Sequence, residues 1–326
     1  MLGSCSTGGE AAISAGMSGG SSQSLVFLNC RAVSEEEVEF EFSRSVTVKS
    51  LTLNPGLSIA SVENGSTVRI RLEESAAPGT LISADLLVED ENRNTINVLA
   101  AFRSRNNRIP DLVINELCTE YANVTAGRKA EFIEFKMKSD GNLGAMRVFI
   151  IGNSNAARET IYEFSPVEVK KDEYVVLHLR TYDPASKNEY GDLAESGGLN
   201  SSPTARDFWI PGTTKLLHKT AVVYVVDQDD RIINAVMICE NPAAPWPKDY
   251  FFEAANSLFE QGAWQAADGI TSRPADAVNS SGTTNTRTIC RDETLAGNSG
   301  SNADWYITAT SSATPGGENN PKRHSN

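Results

Sequence analysis

The chain has 326 residues, an apolar fraction of 40% and a mean hydropathy of −0.29, which suits two ordinary globular domains with substantial cores. With 29 Lys and Arg against 42 Asp and Glu the net charge is −13, and so acidic a surface repels phosphate backbones, which argues against nucleic acid as a partner. No run of about 18 apolar residues exists, so no segment reads as a membrane-spanning helix.

At the N-terminus, Leu2-Gly3-Ser4-Cys5 places a leucine and two small residues before a cysteine. The Gly-, Ser- and Ala-rich stretch behind it suits a flexible tether, which we assign to residues 1–23. This order resembles the lipobox of bacterial lipoproteins, in which the cysteine is lipidated once a signal segment is removed. The resemblance implies a lipid anchor at Cys5 and a place in the cell envelope or at the cell surface. The chain departs from the pattern in having only Met1 ahead of the box. The competing reading is an incidental cysteine in a disordered tail.

Residues 24–109 read as short alternating strands. Val38, Phe40 and Phe42 alternate with Glu37, Glu39 and Glu41, and Val68, Ile70 and Leu72 alternate with Arg69 and Arg71, each giving one dry and one wet face. Val46 and Val48 fall between these runs, and Leu81–Val88 and Thr95–Phe102 complete the set. Asn54-Pro55-Gly56, Glu63-Asn64-Gly65, Ala77-Pro78-Gly79 and Asp90-Glu91-Asn92 supply the turns. Short strands at such spacing predict a sandwich, and the stretch resembles an immunoglobulin-like module in length and rhythm.

Ile109-Pro110 marks a boundary, because the residue before a proline is driven out of helix. Leu112–Leu117, Ala130–Phe135 and the alternating Met146, Val148 and Ile150 follow as strands. Tyr174–Leu179 and Ala221–Val226 are nearly continuous apolar runs, as expected of strands packed on both faces. Asp227-Gln228-Asp229-Asp230 turns the chain into Arg231–Val236. Phe251, Phe252, Ala255, Leu258 and Phe259 recur at helical spacing behind Pro247, which predicts one short helix packed over the sandwich. Asp304-Trp305, Thr314-Pro315-Gly316 and Asn319 close the stretch.

In that order, a Val-Ile-Asn-Glu strand, a Glu-Phe-Ile-Glu-Phe strand, a Val-Val-Leu strand, an acidic hairpin turn, Asp-Trp, Thr-Pro-Gly and Asn resemble a lamin-tail domain. The resemblance covers residues 110–319, leaves 320–326 as a tail, and implies an immunoglobulin-type sandwich. The chain departs from it in the long insertion Thr181–Lys219 and in the long stretch between Cys239 and Asp304-Trp305. Thr181–Lys219 and Gly262–Asn302 read as binding loops or as disorder. The expected fold is therefore all-β, with two immunoglobulin-like β-sandwich domains, the second lamin-tail-like.

Tests for chemistry return little. His178 and His218 lie in or beside strands without a nucleophile elbow or a metal-binding helix motif, and read as structural histidines. Glu131 and Glu134, three apart on a strand, point to opposite faces, so they read as polar edge positions and not as a dyad. Asp227, Asp229 and Asp230 read as a solvated turn, with a calcium site the lesser reading. Cys30, Cys118, Cys239 and Cys290 lack metal-binding spacing; a disulfide among the last three and buried free thiols both fit. We therefore expect no catalytic residues, no metal and no cofactor. The expectation is an extracytoplasmic, lipid-anchored module that binds, adheres or builds, with a protein or cell-envelope partner. The alternative is an accessory protein of a secreted hydrolase or nuclease system, or a cryptic hydrolase.

Overall fold

In the computed structural model, the residues described are 11–15, 24–124, 127–152, 158–295 and 297–325, with backbone alone for 11–15. Two compact units divide the chain, Met1–Arg108 and Ile109–Asn326.

The first unit consists of β1 (Ala11–Ala15), β2 (Phe27–Ala32), β3 (Glu37–Asn54), β4 (Ile59–Glu63), β5 (Gly65–Leu72), β6 (Leu81–Asp90) and β7 (Thr95–Arg103). The strands run in the order β1-β7-β6-β3-β5-β4, with β2 also on β3. The runs around Phe40 and Val46 are one 18-residue strand, not two. Its first half pairs with β2 and β5 and its second half with β6, across register shifts at Glu41/Val46 and Val48/Ser50. Such irregularities bend a strand, and the bend lets one ladder wrap around a single core. Phe40, Val68 and Ile70 of one half meet Leu86, Val98 and Phe102 of the other in that core. Part of the expected tether is a strand as well: Ala11–Ala15 pairs with β7 from Ala11↔Ala100 to Ala15↔Ile96. The β7 edge offers unpaired backbone groups, and a short small-residue segment satisfies them. Cys5 and the rest of the lipobox lie outside the described residues.

The second unit contains β8 (Leu112–Cys118), β9 (Ala122–Val124), β10 (Gly127–Lys129), β11 (Phe132–Met137), β12 (Gly141–Asn142), β13 (Arg147–Gly152), β14 (Glu159–Glu163) and β15 (Glu168–Val169). Then come β16 (Tyr174–His178), β17 (Arg206–Trp209), β18 (Ala221–Val226), β19 (Ile232–Cys239), α1 (Asp249–Glu260), β20 (Val278–Asn279), β21 (Ile289–Arg291) and β22 (Trp305–Ile307). One sheet has the order β17-β16-β11-β8-β21-β22 and the other β14-β13-β18-β19-β20. Ile114, Ile133, Phe135 and Leu177 from the first sheet pack against Val148, Ile150, Val223 and Val236 from the second. The all-β sandwich expected from the strand pattern is the fold observed.

Helix α1 buries Phe251, Ala255 and Leu258, the members of the predicted stripe that face the body of the unit. Phe252 stays 43% exposed. Trp246 stacks on Phe251 at 6.2 Å, so the helix entry is anchored by aromatic contact.

Three expectations change. The stretch 181–219 is not disordered: mostly loop, it contributes β17, parallel to β16, and buries Glu189, Asp207 and Phe208 completely. Gly262–Asn302 contributes β20 and β21 and buries Trp264, whose Nε1 donates to Asp276 O at 3.0 Å. The tail is tied back, with His324 N donating to Ile307 O at 2.8 Å and Arg323 paired with Asp292 at 2.5 Å. Composition alone misleads here, because polar segments can satisfy themselves through side-chain–backbone bonds and still pack.

Candidate functional site

The outer face of the β17-β16-β11-β8-β21-β22 sheet is polar where an ordinary sandwich face would meet water, yet it is buried. Register sets one straight row across it: Tyr306, Cys290, Glu116, Glu134, Val176 and Asp207. Glu116 and Glu134 are direct cross-strand partners, and neither has exposed surface. The register shift between Glu134 and Phe135 leaves Asn115 as an extra residue on β8. A bulge of this kind re-aims a side chain, and here Asn115 Nδ2 donates to Glu134 Oε1 at 2.9 Å.

The segment from Thr314 to Asn319 lies on these groups. Thr314 N donates to Glu116 Oε2 at 3.1 Å and Gly316 N to Glu134 Oε2 at 2.6 Å. Asn319 Nδ2 donates to the carbonyls of Asn115 at 3.0 Å and Arg291 at 2.9 Å, and its N to Glu293 Oε1 at 2.9 Å. Thr288 Oγ1 donates to Glu116 from below the segment. Gly316 has φ +82°, and a Cβ there would lie 2.3 Å from Ser202 Cβ and 2.8 Å from Ala205 Cβ. Only glycine fits this close approach.

Burial pushes the Glu116 carboxyl above its usual range against the hydrogen bonds from Thr288 and Thr314. Burial and then the neighbouring Glu116 charge push Glu134 well above it. Two carboxylates side by side in a dry site do not both ionise readily. Burial works the same way on Glu293, but the Lys136 ammonium beside it holds that carboxyl low.

The sequence reading of Glu131 and Glu134 as edge positions is therefore wrong. Strand β11 is interior, between β16 and β8, and both side chains are fully buried. Glu131 does not face Glu134; it bonds Arg180, whose guanidinium lies over the Tyr121 ring at 4.8 Å. His178, fully buried, meets Asp207 Oδ1 through Nε2 at 2.7 Å and stacks on Trp209 at 3.7 Å, a packed interior pair. His218 is held below its usual range by burial and by Lys215. Asp227 is buried, not solvated: its Oδ1 caps the turn by accepting Asp229 N at 2.9 Å and Arg231 N at 3.0 Å. Cys30, Cys118, Cys239 and Cys290 are buried free thiols. Among the described residues no group of three His, Cys, Asp or Glu side chains is arranged to hold a metal.

Sequence reasoning missed Glu116 and Glu293 as members of a cluster. The Asn-Glu pair interrupting an apolar strand was the available signal for Glu116; Glu293, in a Ser- and Gly-rich stretch, carried none.

A family model described as a protein second domain matches residues 110–307. An uncharacterized protein of Treponema pallidum (strain Nichols) is 29% identical over 175 residues, covering 50% of this chain and 42% of that protein. The matched stretch is thus less than half the length of that relative.

Proposed function

The chain belongs to the family defined by this second domain, and from that premise we infer that it is an extracytoplasmic, lipid-anchored module for binding, adhesion or architecture, with a lamin-tail-like second unit. One observation carries the reading. Asn115, Glu116, Glu134, Thr314, Gly316 and Asn319, which carry the lamin-tail resemblance in the sequence, converge in one hydrogen-bonded cluster. Their carboxylates are spent on backbone N–H groups of the chain's own C-terminal segment, so they serve as a latch for a rigid scaffold and not as acid and base for a substrate. Rigid sandwiches of this kind leave recognition to their loops and faces. The anchor rests on Leu2-Gly3-Ser4-Cys5.

The test is metabolic labelling with an alkyne fatty acid in a bacterial host, with the chain expressed behind a lipoprotein signal segment. Label on the wild type, lost in Cys5→Ala together with membrane association, supports the anchor; an unlabelled wild type removes it. A hydrolase screen with His178→Ala and His218→Ala controls addresses the enzyme alternative, and activity lost in either variant would reinstate it.

A further inference from the structure

Lys136 lies on β11 two residues beyond Glu134, on the same face of the sheet. Its Nζ donates to Glu293 Oε2, and its side chain is 19% exposed. The other oxygen of that carboxylate, Oε1, accepts Asn115 Nδ2 at 3.1 Å. One carboxylate therefore spans an amine and a primary amide. Asn115 is wholly buried, its Nδ2 also reaches Glu134 at 2.9 Å, and its Oδ1 has no hydrogen-bond partner. Tyr174 encloses the cluster, with its hydroxyl 3.4 Å from Glu293 Oε2 and its ring centroid 5.1 Å from Lys136 Nζ. Asn319 N closes it from the C-terminal segment.

The geometry points to an intramolecular amide crosslink between Lys136 Nζ and Asn115 Cγ, made by the folded protein itself. The Lys136 ammonium passes a proton to Glu293 Oε2, and the freed lone pair on Nζ attacks Cγ of Asn115. The Nζ–Cγ bond forms, the Cγ–Nδ2 bond breaks, and the electron pair of that bond leaves with Nδ2. Two protons leave Nζ in all, and both reach the departing nitrogen, which Glu293 Oε1 already contacts; it leaves as ammonium. Glu293 ends as it began, and no oxidant, reductant or other co-reactant is needed. Glu134, whose carboxyl is raised by burial and by the neighbouring Glu116 charge, accepts from the same amide. Against the burial that disfavours its charge, the ion pair with Glu293 keeps Lys136 protonated, so the neutral amine is scarce and the step slow. A reaction that runs once in the life of each molecule tolerates that. The product ties β8 to β11 in a unit whose described cysteines are free thiols.

Mass spectrometry of the purified, denatured full chain decides. The expected mass is one ammonia, about 17 Da, below that of the sequence with its modifications counted. Proteolysis is expected to release one branched peptide joining the segments around Asn115 and Lys136. Lys136→Met, Asn115→Ala and Glu293→Gln each restore the uncrosslinked mass. Because the wild type is read after denaturation, the folding of the variants does not bear on its result. A wild-type chain at its full sequence mass after prolonged incubation at mildly alkaline pH overturns the proposal and leaves an ion pair only. So does a loss of ammonia that persists in Lys136→Met.

Discussion

Glu116 and Glu134 face each other across β8 and β11 without exposed surface, and each accepts a backbone N–H from a segment far along the chain, Thr314 lying 198 residues from Glu116. The pairing closes the polar face of one sheet by means of the chain's own C-terminal end. It makes the last residues of the second unit part of its core.

That arrangement sets a pH dependence. Both folded-state carboxyls are raised above their usual range, so the native state holds protons that the unfolded chain releases. Stability is therefore fully present below the ordinary carboxylate range and declines as pH climbs from there through the raised values. Each tenfold by which folding tightens proton binding accounts for about 1.4 kcal/mol of that decline. Glu134→Gln, which cannot ionise, is expected to flatten it. The variant also loses one acceptor and starts about 1 kcal/mol less stable in acid. Urea midpoints measured from about pH 5 to pH 9 check both; parallel wild-type and variant curves would contradict the assignment.

Gly316→Ala introduces a Cβ into Ser202 and Ala205 at positive φ. A non-glycine residue held there costs about 1–3 kcal/mol before the clash is counted. The C-terminal segment is expected to lift, with faster amide exchange at Thr314 and Asn319 and easier proteolysis after Lys322, while the first unit's unfolding is unchanged.

His178→Phe keeps a ring on Trp209 but strips Asp207 Oδ1 of its buried partner. Leaving a buried hydrogen-bonding group without its partner costs about 1–3 kcal/mol. Thermal unfolding of the second unit should fall accordingly, and Asp207→Asn in the same chain should recover part of the loss.

The four buried thiols are expected to stay silent towards a thiol reagent at neutral pH until the protein is denatured. Burial pushes the Cys118 thiol up to about 12 and raises Cys30, Cys239 and Cys290 as well, leaving almost no thiolate to react. Rapid titration of any of these in the native protein would show that the units open far more readily than their packing implies.

Local chemistry in the sequence was enough to mark the strongly periodic strands and the helix, though not β1, β17, β20 or β21. The alternation of Val38, Phe40 and Phe42 with glutamates, and the helical stripe through Phe251, Ala255 and Leu258, mark which side chains must leave water, whatever lies opposite. Asn115, Glu134 and Asn319 were visible too, but only as separate marks along the chain, and Glu293 left no mark. Tertiary structure alone decided that Asn115, Glu134, Glu293 and Asn319 meet, and that glutamates on a face destined for water in an ordinary strand are buried instead. Periodicity reports on a strand's two faces and is blind to what covers them. Here the cover is supplied by the segment after Ala313, through hydrogen bonds between residues too far apart in sequence to leave a local pattern.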